Sequence, residues 1–271
     1  MGAGPDRLME GGLPEMLHSA GRPSLSFVHV LPEVDPPADV ATAFELDRLV
    51  AKQVREAVAD DQFALVLSGN CNTAVGTIAG LGAPDFRVVW FDAHADFNTP
   101  ETTTVGCTVG MGLAVAVGPC WKEMARGVPG FVPVAERDVV LAGVRAVEPC
   151  EEERLTASDV SVVGADRLGL EGPGVLEAVL DDLKSRVRRV YVHLDLDVLD
   201  PEKAGRANEF APEGGRGAED LKMALGLVQE RFAIAAAGIA SYDPAFDADG
   251  RVLAVAHACV QMLTGPENPA V

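Results

Sequence analysis

Val88-Val89-Trp90-Phe91-Asp92-Ala93-His94-Ala95-Asp96 is the stretch on which the reading of this chain turns. Four apolar residues, two of them β-branched, predict a buried strand. Three ligand-type side chains follow at once. Working outward, similar short apolar runs recur at Phe27 to Leu31, Phe63 to Leu67, Val139 to Leu141, Val160 to Val163, Val190 to Leu196 and Ile234 to Ile239. Segments with helical spacing lie between them: Ala41 to Ala59, Thr73 to Leu81, Gly110 to Val117, Gly174 to Val187, Ala218 to Phe232 and Val252 to Leu263. Strands alternating with helices over the whole length predict a mostly parallel sheet covered on both faces. No repeat, low-complexity tract or linker interrupts the pattern, so residues 1–271 are read as a single α/β domain.

Composition narrows the function. Of 271 residues 48% are hydrophobic and 23% charged, the profile of a folded globular chain. A formal net charge of −19 repels phosphate backbones and anionic lipid, which argues against nucleic acid and membrane as partners. The five cysteines are odd in number and show no Cys-x-x-Cys spacing, so neither a disulfide framework nor a zinc knuckle is expected, and a reducing cytoplasm fits. Met1 to Pro14 lacks the apolar run of a signal peptide.

In open parallel sheets ligands gather at the carboxyl ends of strands. Three such ends matter here: Leu67 to Asn72, Phe91 to Asn98 and His193 to Pro201. If extended geometry continues past Phe91, alternation brings Asp92, His94 and Asp96 to one side. In His193-Leu194-Asp195-Leu196-Asp197-Val198-Leu199-Asp200-Pro201 it does the same for Asp195 and Asp197. Caps and ion pairs at strand ends would explain either motif alone. Yet neither motif contains a Lys or Arg, and four aspartates in an apolar flank need a counter-charge. Divalent cations supply one, and imidazole with several carboxylates suits Mn²⁺ better than Zn²⁺ or Fe²⁺. Two cations sharing carboxylates lower the pKa of a water between them.

With Asp-x-His-x-Asp at Asp92 to Asp96 and Asp-x-Asp-x-x-Asp-Pro at Asp195 to Pro201, the chain resembles the ureohydrolase family of arginases, agmatinases and related amidinohydrolases. The resemblance spans nearly its whole length. It implies a three-layer α/β/α fold and a centre of two Mn²⁺ held by Asp92, His94, Asp96, Asp195 and Asp197, with Asp96 and Asp195 among the carboxylates close to both metals. The family's sixth ligand is a His in Gly-Gly-Asp-His-Ser. Here the stretch is Ser68-Gly69-Asn70-Cys71-Asn72, so Cys71 would be the ligand, its alternative role being a small buried hydrophobe. Gly4-Pro5 resembles a Gly-Pro that family members reach after a first strand, which would be absent here.

The substrate side departs further. Asn98 and Thr103 match the arginase loop that grips an α-carboxylate, while Val105 stands where arginases carry a Ser; a polar turn that satisfies its own backbone would look the same. Glu148, in Arg145-Ala146-Val147-Glu148-Pro149, takes the place of an Asp near the substrate amino group, or is simply an acid at a helix start. Val109-Gly110 lacks the His assigned as proton shuttle. Ser241, in Ser241-Tyr242-Asp243-Pro244, replaces the Glu that pairs with the guanidinium, unless Asp243 or Asp247 substitutes for it.

Keeping the ligands while losing the guanidinium partner implies a less basic substrate, and the pattern resembles the Nω-hydroxy-L-arginine hydrolases. The expectation is thus a metal-dependent hydrolase of a guanidino C–N bond in a small arginine-like molecule. Asp96 is its catalytic residue, orienting the attack, with Asp96 or water passing a proton to the leaving amine. Another guanidino-acid or amidine hydrolase, or a catalytically silent binding protein, are the alternatives, and oligomeric state stays open. His193 is either a partner behind the ligands or a core histidine; His18, His29 and His257 are read as structural or surface residues. Four aspartates and a Cys71 thiolate would carry five of the negative charges, offset by two divalent ions.

Overall fold

The computed structural model describes residues 1–21, 24–32, 38–82, 86–169 and 174–265. Its centre is a sheet of β1 (Ala64–Leu67), β2 (Phe86–Phe91), β3 (Val139–Val144), β4 (Ser161–Gly164), β5 (Arg189–Asp195) and β6 (Ala233–Ala240). The strands run parallel in the order β1-β6-β5-β2-β3-β4. Strands buried on both faces read as unbroken apolar runs, which is why Val-Val-Trp-Phe and Val-Tyr-Val are legible as strands.

Each face of the sheet carries its own core. On one side pack the helices Gly174–Lys184, Ala218–Gln229 and Arg251–Leu263, through stripes such as Leu176, Leu180 and Leu183. The spacing of that stripe is one helical face, and each buried Leu contributes about 1.5–3 kcal/mol. On the other side lie Asp39–Ala59, Ala74–Leu81, Gly112–Ala116 and Lys122–Arg126. Asp39–Ala59 meets Ala74–Leu81 closely at Gly76, where an added Cβ would come within 2.7 Å of the Asp47 carbonyl oxygen. The three layers are those expected.

The expected strand at Phe27 to Leu31 is not formed. Residues 24–32 carry no regular structure, and Phe27, Val28 and Leu31 are 55%, 58% and 64% exposed. A β-branched run becomes a strand only where a neighbour completes its ladder, and propensity says nothing about the neighbour. Two short N-terminal helices, Gly4–Glu10 and Leu13–Ser19, were not foreseen; they bury Leu8, Leu13 and Leu17 against the core under Arg251–Leu263. Among the described residues no helix is long and apolar enough to cross a membrane.

The connections place the crevice. After β2 the chain crosses one face through Gly112–Ala116 and Lys122–Arg126 to reach β3, whereas after β5 it crosses the opposite face through Ala218–Gln229 to reach β6. Adjacent strands whose exits diverge in this way open a cleft at their carboxyl ends.

Candidate metal centre

Registers bring four strand ends level. Leu67 pairs with Ile239, Ile239 with Leu194, and Leu194 with Phe91. The next residues of β1, β2, β5 and β6 therefore converge, carrying Cys71, Asp92, Asp195 and Ser241 to one place. Cys71 is aimed by a turn: the Asn70 side chain accepts from the Asn72 amide (3.1 Å), and Ser68 Oγ donates to the Asn70 carbonyl (2.9 Å).

Two ligand-type groups result, and Asp92 belongs to both. Cys71, Asp92 and Asp195 form the first; Asp92, His94 and Asp197 form the second, each with its ligand atoms within 4.8 Å of one another. Cys71 Sγ lies 2.8 Å from Asp195 Oδ2 and 3.8 Å from Asp92 Oδ2. His94 Nδ1 lies 3.2 Å from Asp197 Oδ2 and 3.5 Å from Asp92 Oδ1. Asp195 and Asp197 do not share a group as simple alternation implied. The chain turns into a short 3-10 segment at Leu196–Val198, with the Asp197 amide donating to Asp195 Oδ1 (2.8 Å).

Asp96 departs from alternation too. Its φ of 49° lies in the left-handed region, which costs a non-glycine residue about 1–2 kcal/mol and points to a local constraint. It joins neither group, and the carboxylate common to both is Asp92. Asp96 Oδ2 is nevertheless buried without a hydrogen-bond partner. An orphaned carboxylate oxygen beside two clusters of donors is what a bound cation would satisfy.

Electrostatics agree. Burial, then the Asp197 charge, pushes the Asp92 carboxyl up to about 6. Burial followed by repulsion from Asp92 raises Asp96 well above the carboxylate range, and burial followed by repulsion from Asp197 does the same to Asp195. Burial and then Asp195 raise the Cys71 thiol. His94 is held up at about 12, its Asp197 and Asp92 partners outweighing burial. Such a set cannot all be ionised without added positive charge. Oxygen, nitrogen and sulfur donors of this kind fit a pair of divalent cations.

Supporting residues escaped the sequence reading. The Arg145 guanidinium donates to the carbonyls of Asp197 (2.9 Å), Val198 (3.1 Å), Leu199 (3.0 Å), Pro212 (2.8 Å) and Glu213 (3.1 Å), fixing the loop after β5. Glu151, 3% exposed, accepts from the amides of Phe97 (2.8 Å) and Glu148 (3.1 Å). The Arg145 contacts are legible only in three dimensions, because it lies 52 to 68 residues from these carbonyls. Arg145→Met should lower stability by about 2–4 kcal/mol, since several carbonyls lose a charged donor at once. The chemical-denaturation midpoint reads this directly, and an unchanged midpoint would remove Arg145 from the account.

Of the expected substrate residues, Asn98 and Glu148 are engaged with each other and Thr103 with its own turn. Glu148 accepts from Asn98 Nδ2 (2.9 Å), the Thr104 amide (2.7 Å) and the Thr104 hydroxyl. Thr103 Oγ1 accepts from the Val105 (3.3 Å) and Gly106 (3.0 Å) amides, as a self-satisfying turn does. Ser241, at φ 64°, is buried; its hydroxyl donates to Asp195 Oδ2, and its carbonyl accepts from Asn208 Nδ2 (2.8 Å). Neither alternative carboxylate takes its place. Asp243 pairs with the Met1 amino group at 2.7 Å, and Asp247 accepts from the Tyr242 hydroxyl and the Val252 and Leu253 amides. His193 is a core histidine: Nδ1 lies 2.9 Å from the Tyr191 hydroxyl, and burial pushes its pKa down to about 3.

Known proteins share this fold. The Arginase family model matches residues 3–265. The arginase of Bacillus caldovelox is 31% identical over 227 residues, covering 82% of this chain and 75% of its own. Among solved structures, arginase from Bacillus cereus superposes with a TM-score of 0.87 at 26% identity, covering 97% of this chain and 91% of its own. Arginase from Bacillus subtilis gives 0.87 at 28%, covering 97% and 92%. With the family model matching almost end to end and the motif-bearing strand ends level in the sheet, the chain belongs to the arginase family, hydrolases that act on the C–N bonds of linear amidines.

Proposed function

We propose that this protein hydrolyses the guanidino C–N bond of an arginine-like amino acid at a centre of two Mn²⁺ ions. The observation that carries the reading is the pair of donor groups sharing Asp92, one with Cys71 and Asp195, the other with His94 and Asp197. The family depends on a dinuclear metal centre. Here Cys71, Asp92 and Asp195, with Asp96 beside them, would hold one ion, and Asp92, His94 and Asp197 the other. When bound, such ions supply water activated at neutral pH and neutralise the carboxylates.

The chain's own residues do the rest. Asp96, with its orphaned oxygen, holds the proton released on attack and delivers it to the departing amine. Asn98, Thr103 and Glu148 would bind the α-carboxylate and amino group, Asn98 and Glu148 exchanging their mutual hydrogen bond, and Thr103 its turn contacts, for ones to the substrate. The strand-end walls exclude bulk water: Asp92, Asp96, Asp195, Asp197 and Cys71 are all buried. A cytoplasmic location belongs to the same reading, supported by five free cysteines.

Arginine is the substrate that the relatives' names support. One observation favours Nω-hydroxy-L-arginine instead: Ser241 is committed to Asp195, and Asp243 and Asp247 are committed elsewhere, so none of the three is available to pair with a guanidinium. An unpaired cation beside two metal ions is costly, and the less basic N-hydroxyguanidine avoids that cost. Arginine, Nω-hydroxy-L-arginine, agmatine and guanidinobutyrate should be assayed side by side with Mn²⁺-loaded protein. Preference for either amino acid supports the class and selects the substrate; turnover confined to agmatine or guanidinobutyrate would overturn it.

A further inference from the structure

We propose that Trp90 is the positioning residue of the metal centre, and that His193 and Tyr191 lock its indole against the shared carboxylate. The proposal rests on the two-metal reading above and concerns how Asp92 is held.

Asp92 can serve two ions only if its carboxylate plane is fixed. Each of its oxygens has one dedicated donor. The Trp90 indole N–H donates to Oδ2 at 3.0 Å, and the His94 amide donates to Oδ1 at 2.7 Å. Oδ2 is the oxygen near Cys71, and Oδ1 the one near His94 Nδ1. One lone pair on each oxygen is thus occupied and the other is left for the ligand group on that side. Asp92 directly follows β2 and lies two residues beyond Trp90, so the indole reaches it from the adjoining strand end.

The indole is itself held from the neighbouring strands. Trp90 and His193 are direct partners across β2 and β5, their ring centroids 3.9 Å apart at 32°. His193 Nδ1 is fixed by the Tyr191 hydroxyl at 2.9 Å, and all three side chains are buried. On β6, His193 faces Gly238. A Cβ there would stand 2.5 Å from the Tyr191 hydroxyl oxygen and 3.2 Å from His193 Nδ1, so only glycine leaves room for the pair. Glycine, tyrosine, histidine and tryptophan form one path across three strands that ends on Asp92. None of them is a ligand in the proposed centre.

The chain has two tryptophans, so Trp121→Phe leaves Trp90 as sole reporter. Mn²⁺ titration of that protein should change Trp90 emission with the midpoint found by chelator competition. Trp90→Phe, which keeps an aromatic ring but removes the N–H donor together with part of the indole's volume, should weaken Mn²⁺ binding about 10–100-fold, the usual cost of losing a partner behind a ligand. Gly238→Ala, with Trp90 intact, should move the midpoint the same way. Wild-type affinity in Trp90→Phe overturns the proposal, as does an emission signal indifferent to Mn²⁺ while chelator competition shows binding. If the wild-type protein binds no Mn²⁺, the two-metal reading fails instead, and the two failures are told apart by that control. Should Trp90→Phe not fold, the emission titration of the Trp121→Phe protein decides.

Discussion

Asp92→Asn should give a folded protein that retains neither metal ion and shows no turnover above that of chelator-stripped protein, because water activation goes with the ions. Asp92 is the carboxylate common to the two donor groups, so one substitution disables both. The isosteric amide sets its NH2 against one of the two donors, the Trp90 indole or the His94 amide, but it also removes one buried carboxylate charge from a crowded set, which offsets that loss. The fold should therefore survive. Asp197→Asn, which touches one group alone, should lose the ion on the His94 side and keep the other. Metal content per chain beside initial rate checks both. Two retained ions in Asp92→Asn would contradict the shared role.

Metal loading should also stabilise the chain strongly, and more at pH 8 than at pH 5. At a free Mn²⁺ concentration a hundred times the dissociation constant, each site adds about 2.7 kcal/mol, so two sites add about 5 kcal/mol. At about 2–4 °C per kcal/mol, Tm rises by about 10–20 °C.

The pH dependence follows from the metal-free groups. Asp92 has a folded pKa raised from 3.8 to about 6, so its stabilisation is complete below 3.8 and lost as pH rises through 6. Asp96 and Asp195 are shifted in the same direction. His94, raised from 6.5 to about 12, contributes fully below 6.5 and progressively less above it. Asp197 is lowered from 3.8, so its contribution is lost only below that value, outside the window. Metal-free protein should thus weaken between pH 5 and pH 8, and saturating Mn²⁺ should flatten the dependence. Thermal melts with and without the metal at both pH values read it, and a metal-free protein more stable at pH 8 would count against this account of the site.

Much of this was legible beforehand because a parallel sheet writes itself in sequence. Buried strands are apolar runs, their carboxyl ends carry the chemistry, and Asp92, His94, Asp195 and Asp197 sit immediately after such runs. Phe27 to Leu31 shows the limit: its pattern is right for a strand, and no pattern reveals whether a neighbour exists. Alternation predicts Asp92, His94 and Asp96 on one side; Asp92 and His94 do meet, whereas Asp96 does not join their group, because its left-handed φ ends the extended geometry. Arg145, Trp90 and Asn208 act through contacts to carbonyls, to an aspartate and to a strained serine, and composition does not encode such contacts.

The most direct test strips the protein with a chelator, then follows urea or hydroxyurea release as Mn²⁺ is returned. Activity absent from the stripped protein and rising to a plateau at two Mn²⁺ per chain is the predicted result. Full turnover without metal, or no release from any guanidino amino acid at two Mn²⁺ per chain, would contradict it.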